Sequence, residues 1–132
     1  ELLDYTNVHG ESAANLKEAV GGAYVFIGVS KGNLLTKADI ATMTKDCFIV
    51  ARANPTPEID YYEAKQGGAL IAATGRSDFP NQVNNLLAFP SIFRGALDAK
   101  ATRITEEVKL AAAQAIADLI PAEELTEEYI IP

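Results

Sequence analysis

Runs of consecutive apolar residues alternate with helix-like segments along this chain. The apolar runs span residues 24–29, 48–51 and 69–73. Because successive side chains of a strand point to opposite sides of a sheet, a run without polar breaks is typical of a strand buried on both faces. Strands that alternate with helices usually form parallel sheets, since a parallel connection has room for a helix. The pattern therefore predicts an α/β fold with a parallel sheet.

Helical patterns occupy the segments before, between and after these runs. Their start and stop signals, a Ser or Thr before the helix and a Gly or Pro after it, place them at residues 12–20, 36–43, 59–66, 84–99 and 105–120. We expect Ser12, Thr36 and Thr105 to cap the first, second and last of these helices. Three strands are about half of the six in a doubly wound dinucleotide-binding domain. The sequence thus predicts part of a doubly wound, Rossmann-like parallel sheet of about three strands, with helices on its faces and a C-terminal helical segment.

Composition narrows the functional classes. The 132 residues suffice for one domain with a modest core. The net charge of −7 argues against a nucleic-acid surface, which needs clustered Lys and Arg. Cys47 is the only cysteine, so no internal disulfide can form, and this suits a reducing compartment. No apolar stretch approaches the roughly 20 residues of a membrane span. We therefore expect a cytoplasmic protein with neither a nucleic-acid nor a membrane partner.

Several common catalytic patterns are absent from the sequence. The G-x-G-x-x-G phosphate loop does not occur, and His9 is the only histidine. No acidic pair is spaced like a metal site, and the lysines lie in contexts typical of solvated side chains. We therefore expect no catalytic acid or base and no metal ligand within these residues, and we expect His9 to lie at the surface.

Two polar turns follow the second and third apolar runs. Asn54 comes shortly after the second run, and Asn84 and Asn85 come after the third, at the start of a predicted helix. Ligand sites of parallel α/β sheets lie beyond the carboxyl ends of the strands, so these amides are candidates for one shared ligand. An amide can bind a carboxylate, a hydroxyl or a carboxamide without adding charge. The alternative is that each Asn only caps a turn or a helix, a role that Asn favours.

Charged residues of the same turns also allow more than one interpretation. Arg76 could clamp a ligand carboxylate with two N–H groups, or it could pair with Asp78 or a helix end; we favour the structural role. Glu58 is most simply interpreted as a negative charge at the start of the helix predicted from residue 59.

These segments resemble those of a known enzyme family. The chain resembles the short bacterial malic enzymes over roughly residues 16–132. The segments that carry the likeness are VFIGVS at 25–30, ANPTPEI at 53–59, TGRSDFPNQVNN at 74–85, AFPSIFRGALD at 88–98 and YIIP at 129–132. The stretch from 73 to 98 is long and specific, and the first fifteen residues match less clearly.

The resemblance implies an activity and a set of site residues. Malic enzymes oxidise L-malate with NAD or NADP and decarboxylate the product to pyruvate and carbon dioxide, with Mg or Mn chelating the substrate. The resemblance implies that Gly28, Val29 and Ser30 lie nearest the nicotinamide and that Asn54 lies between cofactor and substrate. It implies that Asn85, with Asn84, holds the substrate carboxylate.

The resemblance also implies what these residues lack. The family's catalytic Tyr and Lys, its acidic metal ligands and its glycine-rich loop all lie upstream of the matched stretch. Residues 1–132 are therefore expected to be the C-terminal part of a malic-enzyme NAD(P)-binding domain, inactive alone, with Mg or Mn bound by residues outside this chain. Tyr24 and residues 31–33 depart from the commoner family pattern beside the cofactor, and the choice between NAD and NADP stays open. The family implies a homodimer or a higher oligomer.

Two other functions remain possible at this point. The chain could belong to a relative with a different output, either a malolactic enzyme or a malic-enzyme domain fused to a phosphotransacetylase-like domain. It could also be a non-catalytic α/β binding module that kept the fold and lost the chemistry. The three amides at positions 54, 84 and 85 argue against the last possibility, because a scaffold does not need them.

Overall fold

A computed structural model describes residue 10 and residues 12–132, so His9 lies outside the described residues. Three parallel strands form one sheet in the order β1-β2-β3, with β1 at Val25–Gly28, β2 at Phe48–Ala51 and β3 at Ile71–Thr74. The helices are α1 at Leu16–Val20, α2 at Lys37–Ile40, α3 at Tyr61–Gln66, a 3-10 turn at Asn85–Leu87, α4 at Ser91–Asp98 and α5 at Glu106–Ala117. This order confirms the predicted α/β fold and its Rossmann-like parallel sheet.

The helix starts follow the capping chemistry, with one correction. Thr105 accepts a hydrogen bond from the Val108 N–H at 3.4 Å, so its prediction as a cap is confirmed. Thr36 also lies at the N-cap of its helix, as predicted. The prediction for Ser12 is wrong, because Asn15 caps α1 by accepting from the Glu18 N–H at 3.0 Å. Asn is at least as good a cap as Ser, and the helix begins at the later of the two signals.

The helix predicted over residues 84–99 is also wrong in extent. The structure divides it into the 3-10 turn and α4, and Pro90 lies at the N-cap of α4. Proline disfavours helical backbone at the residue before it and has no N–H to donate within a helix. The polar turn after β3 therefore ends in a short, separate element that carries Asn85.

The helices between the strands cover one side of the sheet. In the sheet order β1-β2-β3, both connections between strands step to the next strand on the same side. Because such parallel connections are right-handed, the helices of both connections lie on the same face of the sheet. That face carries the buried side chains of Phe26 and Ile49, which pack with Ile40 of α2. On the opposite face Val25 and Ile27 are 50% and 65% exposed, so only β3 is buried on both faces within the described residues. The prediction that all three strands are buried on both faces is thus wrong for β1 and β2.

Candidate functional site

The two polar turns come together in one cavity at the carboxyl ends of β2 and β3. The cavity has a volume of about 280 Å³, and Asn54, Asn84 and Asn85 all line it. The other lining residues are Arg52, Ala53, Pro55, Gly75, Arg76 and Val83. None of the lining residues carries a carboxylate, although the chain as a whole has a net charge of −7. The cavity therefore combines amides with cationic side chains and suits an anionic ligand.

Strand register explains why the turns meet. Ala51 at the end of β2 pairs with Thr74 at the end of β3, so the two strands end side by side at the same edge of the sheet. The turn after β3 then comes back to its own strand, where the Val83 N–H donates to the Thr74 carbonyl at 2.7 Å. A parallel bridge between Thr74 and Gln82 accompanies this hydrogen bond. Asn84 and Asn85 are thereby held beside the segment that carries Asn54.

The capping interpretation of the amides holds for one of them. The Asn84 side-chain oxygen accepts from the Leu86 N–H at 3.0 Å and so caps the 3-10 turn. Its amide NH₂ is the group that we expect to face a ligand. Asn85 is the first residue of the turn, where its backbone carbonyl accepts from Ala88 and Phe89 at 3.0 and 2.8 Å, and its side chain is exposed. Asn54 is exposed as well.

Arg76 makes the structural pairing that we favoured over a ligand clamp. Its Nε and one terminal nitrogen donate to the two carboxylate oxygens of Asp78 at 2.9 and 2.6 Å. The same guanidinium lies 5.4 Å from the ring centroid of Phe79. The hydrogen bonds from Arg76 lower the pKa of Asp78, because they stabilise the ionised carboxylate. Arg76 still contributes positive charge to the cavity lining, but both of these hydrogen bonds are already directed at Asp78.

Gly28, Val29 and Ser30 lie at the end of β1 and do not line the cavity. Gly28 is buried, whereas Val29 and Ser30 are exposed. The Ser30 N–H donates to the carboxylate of Glu58 at 2.9 Å, and Glu58 adjoins the turn that carries Asn54. The role of these three residues in cofactor binding stays a prediction, as does the role of the amides in substrate binding.

Glu58 is the residue that sequence reasoning misplaced. It does not lie at the start of α3, which begins at Tyr61, and its exposed fraction is 0%. Asp60 caps α3 instead, accepting from the Tyr62 N–H at 2.9 Å. No pattern in the neighbouring residues predicts this burial, since one of its partners, Ser30, is 28 positions away.

Arg52 is a second residue of the site that sequence reasoning did not identify. It directly follows β2, and its exposed side chain lines the cavity beside Asn54. A signal was available in this case, because the first residues beyond the carboxyl end of a parallel strand are the usual position of ligand-binding groups.

The described residues do not provide a metal centre. No three His, Cys, Asp or Glu side chains among them lie close enough together to hold an ion. None of the described helices is long and apolar enough to cross a bilayer.

Comparisons with known proteins give one consistent result. The family model "Malic enzyme, NAD binding domain" matches residues 4–132, and so includes part of the N-terminal stretch that the motifs matched less clearly. A bifunctional malic/malolactic enzyme of Bacillus subtilis (strain 168) and an NAD-dependent malic enzyme of Geobacillus stearothermophilus are each 52% identical over 132 residues, which is 100% of this chain. The crystal structure of an NAD-dependent malic enzyme from Thermotoga maritima has a TM-score of 0.90 and 48% identity, covering 99% of this chain and 33% of that one. The chain spans 32% and 27% of the length of the two curated relatives.

Proposed function

The chain belongs to the malic enzyme NAD-binding domain family, and from this premise we propose that the protein carrying it oxidises L-malate with NAD or NADP and decarboxylates the product to pyruvate and carbon dioxide. Family membership confirms the resemblance seen in the motifs. The observation that supports the activity best is that the turns after β2 and β3 bring three amides together in one cavity, and that no lining residue of this cavity carries a carboxylate. A lining of amides and cationic side chains suits a dianionic substrate such as malate.

The residues of this chain would bind and orient the reactants. We propose that the amides of Asn84 and Asn85 donate hydrogen bonds to a substrate carboxylate and that Arg52 attracts the anion. Asn54, on the adjacent turn, would contact both substrate and cofactor. Gly28, Val29 and Ser30 would form the wall beside the nicotinamide, which accepts the hydride from malate when it is bound. The acid–base groups and the Mg or Mn ligands would come from residues beyond this chain.

The location and the oligomeric state of the enzyme are part of the same proposal. We expect a cytoplasmic homodimer or higher oligomer. Size-exclusion chromatography coupled to light scattering on the full-length protein would measure its mass, and a monomer would contradict this part of the proposal.

Replacement of Asn85 by Ala tests the substrate role. In the full-length protein, malate-dependent NADH or NADPH formation and pyruvate release are measured with Mn present. A hydrogen bond to a charged group is worth about 1.5–3 kcal/mol, so the KM for malate should rise about tenfold or more. Gln114→Ala is a matched control, because it also removes an amide but lies on α5, outside the cavity lining. An unchanged KM in the Asn85 variant would refute its substrate role, and absence of malate turnover in the wild type would favour the non-catalytic module.

A malolactic output is the second candidate, because the similar Bacillus subtilis relative is named a bifunctional malic/malolactic enzyme. The two outputs differ in their products. A malolactic reaction yields lactate without net NADH, whereas the malic-enzyme reaction yields pyruvate and one NADH for each malate. Quantifying lactate, pyruvate and NADH from one reaction mixture distinguishes them.

A further inference from the structure

A buried carboxylate joins the ends of β1 and β2. One side-chain oxygen of Glu58 accepts from the Ser30 N–H at 2.9 Å, and the other accepts from the Ala53 N–H at 3.0 Å. Ser30 lies two residues beyond β1, and Ala53 directly precedes Asn54. Both carboxylate oxygens are thus engaged by backbone groups of two different turns, one predicted to adjoin the cofactor and one lining the cavity.

The backbone of Pro57 and Glu58 holds a third segment, residues 33–35. The Glu58 carbonyl accepts from the N–H groups of Leu34 and Leu35 at 2.8 and 3.1 Å. The neighbouring carbonyl of Pro57 accepts from the Asn33 N–H at 3.0 Å. Glu58 therefore fixes the loop after β1 through both its side chain and its backbone.

The negative charge of Glu58 has no cationic partner among the described residues. No Lys or Arg of this part of the chain lies within ion-pair distance of it, and its side chain has no exposed surface. A buried carboxylate is tolerated only where hydrogen bonds replace water, so the two backbone N–H groups carry that function here. This dependence holds the two turns at a fixed separation, because either one can move only by leaving a buried charge unsatisfied.

We propose that Glu58 is a positioning residue: its carboxylate fixes Ala53 and thereby the orientation of Asn54 relative to the end of β1. The residue touches neither substrate nor cofactor in this assignment and acts only through the two backbone N–H groups. The inference rests on the proposed function, because Asn54 must contribute to malate oxidation for its placement to affect turnover. Contacts that orient reactants act mainly on kcat, and a displacement of about 1 Å can lower the rate about 100-fold.

Glu58→Gln in the full-length protein tests the proposal. Gln has nearly the same shape, but its NH₂ group would face one of the two N–H donors, so one of the hydrogen bonds is lost. We expect kcat for malate oxidation to fall about tenfold or more while the KM for malate changes less than about threefold. Asn54→Ala should lower kcat as well, and adding Glu58→Gln to it should cause little further loss, because both changes act through one side chain.

Asp39→Asn is the matched control. Asp39 is also a buried carboxylate that accepts from a backbone N–H, that of Thr36 at 2.8 Å, but it lies on α2 away from the cavity. Both variants should lower the Tm, and only Glu58→Gln should lower kcat. A Glu58→Gln enzyme with the kcat of wild type, or with the same kinetic change as Asp39→Asn, would overturn the proposal while leaving the malic-enzyme activity of the wild type intact.

Hydrogen exchange on the wild-type protein gives a readout that needs no turnover. The amides of Ser30 and Ala53 should be protected, and in Glu58→Gln the amide that faces the new NH₂ group should exchange at least about tenfold faster than the same amide in Asp39→Asn. Unprotected amides in the wild type would overturn the proposal even if the Gln variant did not fold. Absence of malate turnover in the wild type would refute the proposed function instead, and the exchange experiment would still decide whether Glu58 holds the two turns.

Discussion

Replacing Gly28 by Ala places a methyl group where the Glu58 side chain already lies. A Cβ at this position would lie 2.4 Å from the Glu58 Cδ, 2.6 Å from its Oε1 and 2.7 Å from its Cγ. All three distances are far shorter than a van der Waals contact, and all three atoms belong to one side chain that is completely buried. The carboxylate would have to move away from its backbone donors to relieve the contact.

The expected loss of stability follows from three contributions. Forcing an extra carbon into a filled interior costs about 1–3 kcal/mol. Displacing the carboxylate from one of its backbone donors costs about 1.5–3 kcal/mol. The restriction that Ala imposes on the unfolded chain returns about 0.4–1 kcal/mol. The free energy of opening of the β1–β2 region should therefore fall by about 2–5 kcal/mol.

Native-state hydrogen exchange of the full-length protein measures this quantity, since the slow amides of β1 and β2 report the free energy of opening of that region. Gly95→Ala in α4 is the control, because a Cβ there has nothing within 4 Å. In a helix this change should stabilise the protein by about 0.5–1 kcal/mol, so the two substitutions should change the free energy of opening in opposite directions. A change of less than about 0.5 kcal/mol in the Gly28 variant would refute the conclusion that Glu58 fills this space.

Two further predictions concern the fold around the site. Burial raises the pKa of Asp39, but the hydrogen bonds from Thr36 and the nearby Lys17 ammonium outweigh burial and lower this pKa below its ordinary value. The stability that ionised Asp39 contributes is therefore fully present above the ordinary Asp pKa of about 3.9 and is lost as the pH falls through the lowered value. Asp39→Asn should flatten the acid limb of a stability–pH curve measured by urea unfolding, and an unchanged acid limb would contradict this. Asn81 accepts from the Ile130 N–H at 2.9 Å and donates to the Glu127 carbonyl at 2.8 Å, so Asn81→Ala should destabilise by about 2–4 kcal/mol and speed hydrogen exchange at Ile130, whereas Asn81→Asp, which keeps the acceptor, should keep Ile130 protected. Equal exchange at Ile130 in both Asn81 variants would show that this side chain does not hold the C-terminal segment.

Local signals in the sequence predicted the features whose partners lie close together. Thr105 accepts its capping hydrogen bond from an N–H three residues away, and Arg76 pairs with Asp78 two residues away. The apolar runs located all three strands, because a buried strand needs apolar side chains whatever its neighbours are. The amides of the site were found in the same way, since the carboxyl end of each strand marks where the ligand-facing turns begin.

Features that depend on distant residues were not predictable in this way. The burial of Glu58 requires the end of β1, and the space for it exists only because Gly28 has no side chain. The exposure of Val25 and Ile27 depends on which face the crossover helices occupy, and the apolar runs contain no information on that choice. Pro90 is a local signal against a continuous helix, and it accounts for the division of the segment 84–99.

The one-sided helix layer has a consequence for handling this polypeptide. Val25, Ile27 and Phe48 share the uncovered side of the sheet, and β1 is an edge strand in the part of the chain that the structure describes. An apolar surface next to free backbone donors and acceptors promotes self-association. A preparation of only these 132 residues should therefore form concentration-dependent aggregates, and a fused solubilising partner or an Ile27→Lys substitution should keep it dispersed. Light scattering across a dilution series, with and without the substitution, would measure this self-association directly.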